Sequence, residues 1–493
     1  MKVKNRSLYE INTRVWLRNY DTEGKRATLK DVPNEYWDKL AELGIENIWL
    51  MGVWETPVST IKNYCLEPFL IDEYRAALKD FRADDVLGSP YSIEDYKVSD
   101  YIGGEKELLQ VKEYLNSIGI NLILDFISNH FSADSSLLKE HPEIFLTTNR
   151  DNFLDDPYTF FSVGKSEDVY FAHGRDPFFP AWRDTAQVNY FSEEARAFMI
   201  ERLKNIAKIC DGVRVDMAML SLNNVFKNTW GKVLTDVDYP APEDEFWEAA
   251  IANVRKSKKD FLFIAEAYWD LEWQLQNLGF DYTYDKRLMD RLKGTFVPAI
   301  IEHLEATEDF QLKSVRFIEN HDEPRAAHYL GIDKSKAAAV LISTLMGMRF
   351  YFEGQFTGEK VRLPVQLGRK PKEKPNKNLE LFYEKLLRIA KHEIFKYGNW
   401  ELLRPVSSWE NDESFMNIIA YLWSYDNQYR LIVINYSDAP AAARISFNPP
   451  EGMRELTLTD LLNNKKYVRN TIEIRGEGLY VQLGTYRAHV FAF

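Results

Sequence analysis

Three carboxylates stand at the ends of apolar runs in this 493-residue sequence, and their types and spacing point to chemistry. A buried strand of a parallel sheet reads as such a run, and a barrel of parallel strands collects its catalytic groups where those strands end. The carboxylates are Asp216, Glu266 and Asp322. Four segments carry them and their polar neighbours: LILDFISNH (122–130), DGVRVDMAML (211–220), FLFIAEAYW (261–269) and VRFIENHDEPR (315–325). Cleavage of a glycosidic bond needs one carboxyl group that protonates the leaving oxygen and a second that acts on the anomeric carbon. The set therefore predicts chemistry on a glycosidic bond.

The neighbours of these carboxylates indicate a different role for each. Arg214 precedes Asp216 by two residues on the same strand face, so it is predicted to hold Asp216 ionised, as a nucleophile requires. Glu266 follows an apolar run and lies beside another carboxylate, an environment that raises a pKa and suits a general acid. Asp322 follows His321 and is predicted to bind sugar hydroxyls and to favour a positively charged transition state. A lone Arg-Val-Asp or Asn-His-Asp tripeptide is more often a surface ion pair or a turn, but four such segments in order favour a catalytic site.

Apolar runs alternate with helical patterns along the chain, which predicts parallel strands joined by helices. Eight strands can be counted, at residues 8–16, 47–51, 121–126, 212–215, 261–265, 280–284, 314–318 and 348–352. Ser192 is predicted to cap the helix that precedes the fourth strand. We therefore predict an α/β fold, a (β/α)8 TIM barrel.

Two further regions depart from this alternation. The interval between residues 125 and 216 is about three times the roughly 30 residues of one strand-and-helix unit, so residues 131–190 are predicted to form an irregular inserted domain over the mouth of the barrel. The barrel itself is assigned to residues 1–130 and 191–395. Residues 396–493 are predicted to form a C-terminal antiparallel β-sandwich domain, with a hairpin at Asp426-Asn427 and a further strand at 471–474.

Composition narrows the function classes. The net charge of −13 argues against a nucleic-acid surface, and no run approaches the ~18 apolar residues of a membrane helix. Two cysteines, Cys65 and Cys210, indicate neither a metal site nor a disulfide framework. The first residues, MKVKNRSLYEIN, contain no apolar stretch of a signal peptide. We expect a cytoplasmic enzyme with no nucleic-acid or membrane partner, and the oligomeric state stays open.

Over nearly its whole length the chain resembles glycoside hydrolase family 13, the α-amylase family. DFISNH, GVRVD, the glutamate of FIAEAYW and FIENHD resemble the four hallmark regions of that family. The resemblance implies a retaining α-glycoside hydrolase that acts on α-glucosidic bonds of malto-oligosaccharides or related α-glucans. It makes Asp216 the nucleophile that forms a covalent glycosyl-enzyme, Glu266 the acid/base and Asp322 the transition-state stabiliser.

The same resemblance implies a set of residues around the cleaved bond. Asp125 is expected to support the site. Tyr91, within SPYSIEDY, is expected to stack under a sugar ring. The full set of expected substrate-binding residues is Tyr91, Asn129, His130, Arg214, His321 and Arg325.

One departure from the family pattern concerns metal. Many endo-acting members carry Lys-His shortly after the nucleophile, and the His helps to bind a structural calcium through its main chain. Met219 and Leu220 occupy these positions here, and the inserted segment has no obvious cluster of calcium carboxylates. We expect no cofactor and no metal, with calcium left open as the weaker alternative.

The missing Lys-His pair also favours exo-acting, oligosaccharide-directed or transferring members. The main alternative function is a transglycosylase or sugar isomerase, of glucanotransferase or trehalose-synthase type, that uses the same three carboxylates. A non-catalytic binding role is the third alternative. The aromatic insert is expected to form a wall on one side of the cleft, and the basic loop at 369–378 is expected to be solvated.

Overall fold

The computed structural model describes residues 5–163 and 169–493. Its centre is a closed barrel of eight parallel strands, each paired with its neighbours in chain order, with the first strand also paired to the last. The strands are β1 (Ser7–Asn12), β2 (Asn47–Met51), β3 (Asn121–Ile127), β4 (Gly212–Asp216), β5 (Leu262–Ala265), β6 (Tyr282–Tyr284), β7 (Ser314–Arg316) and β8 (Met348–Phe352). The predicted barrel is confirmed.

Burial explains why these segments form strands. Every residue of β2 and of β8 is buried, as expected for parallel strands covered on both faces. Helices cover the outside, and the longer ones span Asn34–Glu42, Gly104–Ser117, Glu193–Ile209, Asn223–Asp236, Phe246–Ser257, Ile332–Thr344 and Lys377–Ala390. Ser192 caps its helix as predicted, because its hydroxyl accepts a hydrogen bond from the Ala195 amide at 3.2 Å. Among the described residues no helix has the length and apolar character needed to cross a bilayer.

Short strands and helices form the segment after β3. The strand His130–Ser132 pairs with Thr185–Gln187, so the segment leaves and returns beside the end of β3. A second small sheet contains Thr147–Thr148, Phe160–Ser162 and Tyr170–Ala172, and short helices span Leu137–Glu140 and Arg150–Asp155. The pairing of its two ends holds this insert against the mouth of the barrel.

A second excursion, which the sequence did not predict, follows β2. It contains the helices Val58–Tyr64 and Pro68–Ala77, and its small core includes Cys65 and Tyr74 packed with Leu367 from the loop after β8. The first of these helices buries only Thr60, so no apolar stripe marks it in the sequence.

The C-terminal region is antiparallel, as predicted. One sheet has six strands and a second has three, and a separate apolar cluster joins them. The strands are Asn399–Leu403, Pro405–Val406, Ile418–Tyr425, Gln428–Asn435, Ala441–Ile445, Glu455–Asp460, Lys465–Asn470, Leu479–Leu483 and Ala488–Ala492. Asp426 and Asn427 have φ of 48° and 57°, as a two-residue hairpin turn requires. The strand expected at 471–474 is wrong: Thr471–Gly476 is a helix, because Asn470 caps it by accepting from the Ile472 amide at 2.8 Å.

Candidate active site

A cavity of about 390 Å³ opens at the C-terminal ends of the barrel strands. It brings together the three predicted catalytic carboxylates with Tyr91 and His130. The insert forms one wall of it, as expected. The complete lining is Ser89, Tyr91, His130, Trp182, Asp184, Thr185, Asp216, Met217, Glu266, Tyr268, Asp322 and Gln366.

Arg214 organises two of the carboxylates. It is fully buried on β4, and its Nη1 lies 2.8 Å from Oδ1 of Asp216 while its Nη2 lies 2.8 Å from Oε2 of Glu266. Because the two nitrogens belong to one planar guanidinium, the two carboxyl groups are held side by side. The predicted pairing of Arg214 with Asp216 is therefore present, and the same guanidinium also binds Glu266.

Glu266 is held by two further donors. Its Oε2 accepts from the Met217 amide at 2.8 Å, and its Oε1 accepts from the Tyr268 hydroxyl at 2.7 Å. Met217 has φ of 43°, in the left-handed region, a conformation that costs about 1–3 kcal/mol in a non-glycine residue. This strained turn directly after β4 directs the amide at Glu266.

Burial governs the protonation of this pair. Burial raises the pKa of Asp216 and the pKa of Glu266, and the Arg214 guanidinium opposes the rise at both. Two neighbouring carboxylates in a poorly solvated site do not both ionise readily. The arrangement therefore favours one proton shared between two carboxyl groups with different surroundings, which is the condition for one acid and one nucleophile.

Asp322 has the opposite character. Its side chain is 45% exposed towards the cavity. Burial by its surroundings would raise the pKa of Asp322, but the neighbouring His321 holds that pKa at about 2. His321 Nε2 lies 2.9 Å from Oδ2 of Asp322. Asp322 is thus a carboxylate that stays ionised at neutral pH.

His321 is itself charged because a second carboxylate lies behind it. Its Nδ1 lies 2.5 Å from Oε1 of Glu10, a fully buried residue of β1. Burial alone would lower the pKa of His321, but Asp322 and Glu10 raise it well above its usual value. The Tyr91 hydroxyl also lies 2.8 Å from His321 Nε2, and the two rings stack at 5.4 Å.

Asp125 lies beneath these groups, as expected of a support. Its carboxylate accepts from the Trp49 indole N–H at 3.1 Å and contacts Arg214 at 3.3 Å. Burial raises the pKa of Asp125 to about 7. Trp49 also packs its ring 4.9 Å from the Arg214 guanidinium carbon, so aromatic and ionic contacts both hold that guanidinium in place.

His130 and Asn129 take different positions. Burial lowers the pKa of His130 to about 4, so its imidazole is neutral at pH 7. Its Nδ1 lies 3.3 Å from Nδ2 of Asn129, an N–H donor, which leaves the proton on Nε2. That Nε2 has no hydrogen-bond partner among the described residues. Asn129 is buried behind His130 and does not line the cavity.

The structure does not bring Arg325 to the cavity. Its guanidinium lies 2.8 Å from Glu319 and 3.1 Å from Glu359, and it covers the Phe352 ring at 4.0 Å. It connects the loops after β7 and β8. The basic loop at 369–378 also forms ion pairs with the rest of the protein, since Lys370 contacts the carboxylates of Glu353 and Glu359.

Several residues of the site were missed from the sequence. Tyr268, Trp182 and Asp184 line the cavity, and burial raises the pKa of Asp184 to about 6. Glu10 carried a usable signal, because a glutamate within the apolar run LYEIN is costly to bury without a partner. Trp182 and Asp184 lie in irregular backbone, where no periodicity marks a residue that faces a cavity.

The family model described as "Alpha amylase, catalytic domain" matches residues 34–439. The chain belongs to the alpha-amylase family. This family assignment agrees with the order of the four hallmark segments and with the barrel that positions them.

Three similar proteins are distant from this chain in sequence. Alpha-amylase 2 of Dictyoglomus thermophilum is 23% identical over 377 residues, which cover 71% of this chain but only 58% of that relative. The chain thus spans less than two thirds of that relative's length. Among solved structures, a noncanonic maltogenic alpha-amylase from Thermotoga neapolitana has a TM-score of 0.72 at 19% identity, covering 100% of this chain and 99% of its own. An alpha-amylase from Lactobacillus plantarum has a TM-score of 0.67 at 17% identity, with 99% of each chain covered. At these identities the solved structures show the fold alone.

The turn that the family resemblance links to calcium follows β4, and two of its carbonyls accept hydrogen bonds within the protein. The Ala218 carbonyl accepts from the Trp247 indole at 2.8 Å, and the Met219 carbonyl accepts from the Leu222 amide at 3.1 Å. Nε2 of Gln187 donates at 2.9 Å to Oδ1 and the carbonyl of Asn129, and at 3.0 Å to the Val188 carbonyl. The Oε1 of Gln187 is buried and has no hydrogen-bond partner among the described residues. Among the described residues no group of three or more His, Cys, Asp or Glu side chains could hold a metal ion.

Proposed function

We propose that the protein is a retaining α-glycoside hydrolase that acts on α-glucosidic bonds of malto-oligosaccharides or related α-glucans. The observation that carries the proposal is the single Arg214 guanidinium that holds Asp216 and Glu266 side by side in the wall of a cavity. Retaining glycosidases place their two carboxyl groups about 5–5.5 Å apart, whereas inverting ones leave room for a water molecule between them.

In the proposed first step, a carboxylate oxygen of Asp216 attacks the anomeric carbon as the bond to the leaving oxygen breaks. Glu266 gives its proton to that oxygen, so the leaving sugar departs as a neutral alcohol and a glycosyl ester remains on Asp216. In the second step Glu266, now a carboxylate, takes a proton from water as the water oxygen attacks the same carbon. The ester bond breaks, and Asp216 and Glu266 return to their starting states.

Asp322 and the neighbouring polar groups bind the sugar in this proposal. The ionised carboxylate of Asp322 faces the cavity, where it stabilises positive charge that develops on the sugar ring. The free Nε2–H of His130 donates to a sugar hydroxyl. Tyr91 presents its ring to the same cavity, and an aromatic face suits the apolar face of a sugar.

Glu10 is proposed as a positioning residue that keeps His321 charged. Glu10→Gln retains the shape of the side chain but removes its charge, so the pKa of His321 should fall. We expect kcat/KM to drop by roughly 10- to 100-fold, the worth of a hydrogen bond to a charged group. The alkaline decline of the kcat/KM profile should begin at lower pH than in wild type, because the imidazolium is lost earlier.

The control for that experiment is Glu46→Gln. Glu46 contacts Lys396 at 2.8 Å and does not line the cavity. It should leave the pH profile unchanged. A Glu10→Gln profile that is lower at every pH but unshifted would contradict the assigned role and indicate a packing effect.

We also propose that the protein needs no calcium, since Nε2 of Gln187 donates to two oxygens of Asn129 and to the Val188 carbonyl, and no group of three or more His, Cys, Asp or Glu among the described residues could hold a metal ion. The melting temperature of the wild type should be the same in EDTA and in millimolar Ca²⁺. Gln187→Glu places a carboxylate among three oxygens and should destabilise the fold by about 3–5 kcal/mol. Ca²⁺ should restore much of this loss, because it prefers oxygen ligands. A wild-type melting temperature that falls in EDTA would refute the proposal.

A product profile tests the function as a whole. The wild type and Asp216→Asn are incubated with maltose, trehalose, sucrose and maltoheptaose, with and without phosphate, and the products are separated by chromatography. Net release of shorter sugars by the wild type alone supports hydrolysis. Longer oligomers or a rearranged disaccharide would instead establish transfer or isomerisation on the same carboxylates. If neither protein changes any of these sugars, the substrate class is wrong.

A further inference from the structure

A groove on the flank of the barrel, outside the catalytic cavity, has a volume of about 780 Å³. Four helices border it: Glu272–Asn277 after β5, Lys286–Lys293 and Val297–Leu304 after β6, and Glu308–Leu312 before β7. We call it the flank groove. It has about twice the volume of the catalytic cavity, and nothing in the proposed reaction uses it.

Two aromatic rings line the flank groove. Trp273 is 46% exposed, and its ring centroid lies 6.5 Å from that of Phe310 at an interplanar angle of 38°. An aromatic ring exposed in a concave site presents apolar surface that a ligand can cover. The apolar faces of two neighbouring, non-parallel rings suit a curved chain of stacked units better than one flat molecule.

The polar groups of the flank groove carry charges of both signs. Arg291 and Glu302 line it and have no ion-pair partner among the described residues. Arg287 is paired with Asp270 at its rim. A phosphate or nucleic-acid ligand would meet carboxylates here, so the lining does not favour an anion. Planar donors and acceptors beside aromatic rings instead suit a neutral ligand with many hydroxyl groups.

The floor of the flank groove is rigid. His303 Nε2 lies 2.9 Å from Oδ2 of the buried Asp285, and Arg316 contacts the same carboxylate. The side-chain amide of Gln311 donates to the His303 carbonyl at 2.9 Å. A floor held by these bonds lowers the ordering cost of binding, because the site is formed before the ligand arrives.

The flank groove begins on the loop that carries the proposed acid. Asp270, at its rim, follows Glu266 by four residues. Between them lies Trp269. Its ring packs edge-to-face against the ring of Phe178 in the insert, and the two ring centroids are 5.0 Å apart. Both rings are exposed, at 37% and 67%. A single short loop therefore joins the catalytic cavity to the rim of the flank groove.

We propose that the flank groove is an accessory binding site for a linear α-glucan chain, in which Trp273 is the ring that a sugar unit stacks on. The identity of the ligand rests on the proposed function. The site itself rests on the exposed Trp273 ring beside Phe310, on the volume of the open groove, and on Arg291 and Glu302, which have no ion-pair partner among the described residues.

The test is Trp273→Ala, with Trp409→Ala as the matched control. Trp409 is 54% exposed, lies in the C-terminal region and does not line the flank groove. Mobility is measured in native gels that contain increasing soluble starch, and kcat/KM is measured on soluble starch and on maltotriose. Trp273→Ala should weaken retention by starch about three- to tenfold and lower kcat/KM on starch by a similar factor. Its kcat/KM on maltotriose should be unchanged, and Trp409→Ala should behave as wild type throughout.

Arg291→Gln is a second variant that leaves both rings in place, and it should weaken starch retention in the same direction. Equal mobility and equal kcat/KM on starch for wild type and Trp273→Ala would overturn the accessory site even if starch is cleaved. Wild type that is retained by starch but cleaves no glucan would refute the proposed function and leave the gel comparison valid. Wild type that is neither retained nor active would overturn both.

Discussion

Asp216→Asn is expected to lower kcat on maltoheptaose by about 10⁴-fold or more, the scale of losses when a covalent nucleophile is removed. Asparagine has the same shape, but its amide does not form the glycosyl ester. Arg214 keeps its contacts with Glu266 and Asp125, so the fold should be retained. The measurement is the initial rate of sugar release together with a thermal melt.

A rescue experiment makes the assignment specific to a nucleophile. Azide added to Asp216→Asn with an activated α-glucosyl fluoride should attack the anomeric carbon from the face that the carboxylate leaves, releasing fluoride. The product should be a β-glucosyl azide of inverted configuration. The matched control is Asp211→Asn, since Asp211 precedes β4 at the other end of the barrel and pairs with Lys258. Asp211→Asn should hydrolyse its substrate without added azide. If Asp216→Asn kept a tenth of the wild-type kcat on maltoheptaose without azide, that result would contradict the role of Asp216 as nucleophile.

Glu266→Gln is expected to lower kcat/KM on maltoheptaose by about 10²–10⁴-fold, the usual contribution of a positioned general acid. The loss should be far smaller with α-glucosyl fluoride, because fluoride leaves without a proton. A similar loss on both substrates would contradict the role of acid and indicate a damaged site.

The same variant changes the pH dependence. Glu266 must be protonated in the proposed first step, and burial raises its pKa. Activity of the wild type should therefore fall as the pH rises through that pKa. Glu266→Gln should lose this decline and keep only the decline at higher pH that follows loss of the His321 proton. The acid limb should remain, because Asp216 still has to lose its proton.

Most strand positions and the three carboxylates could be predicted from the sequence because each depends on local pattern. The first strand, expected at residues 8–16, instead ends at Asn12, and Thr13–Trp16 is a helix. β2 and β8 were predicted with the bounds that the structure has, since every one of their residues is buried and apolar runs mark them. Arg214 and Asp216 were paired correctly because residues two apart share a strand face.

The remaining features depend on distant contacts. Glu10 and His321 are separated by 311 residues, and only closure of the barrel brings β1 to the loop after β7. Arg325 follows the last hallmark segment closely, yet Glu319 and Glu359 direct it away from the cavity. No sequence pattern distinguishes an arginine that pairs with carboxylates inside the protein from one that contacts a ligand.

The double use of Arg214 has a consequence for engineering the pH optimum. Because one guanidinium sits between Asp216 and Glu266, a change there alters the acidity of both groups together and does not separate them. Tyr268 donates to Glu266 alone. Substitution of Tyr268 should therefore raise the pKa of Glu266, the proposed acid, without changing that of Asp216, the proposed nucleophile. We expect Tyr268→Phe to shift the alkaline limb of the activity profile to higher pH and to leave the acid limb in place.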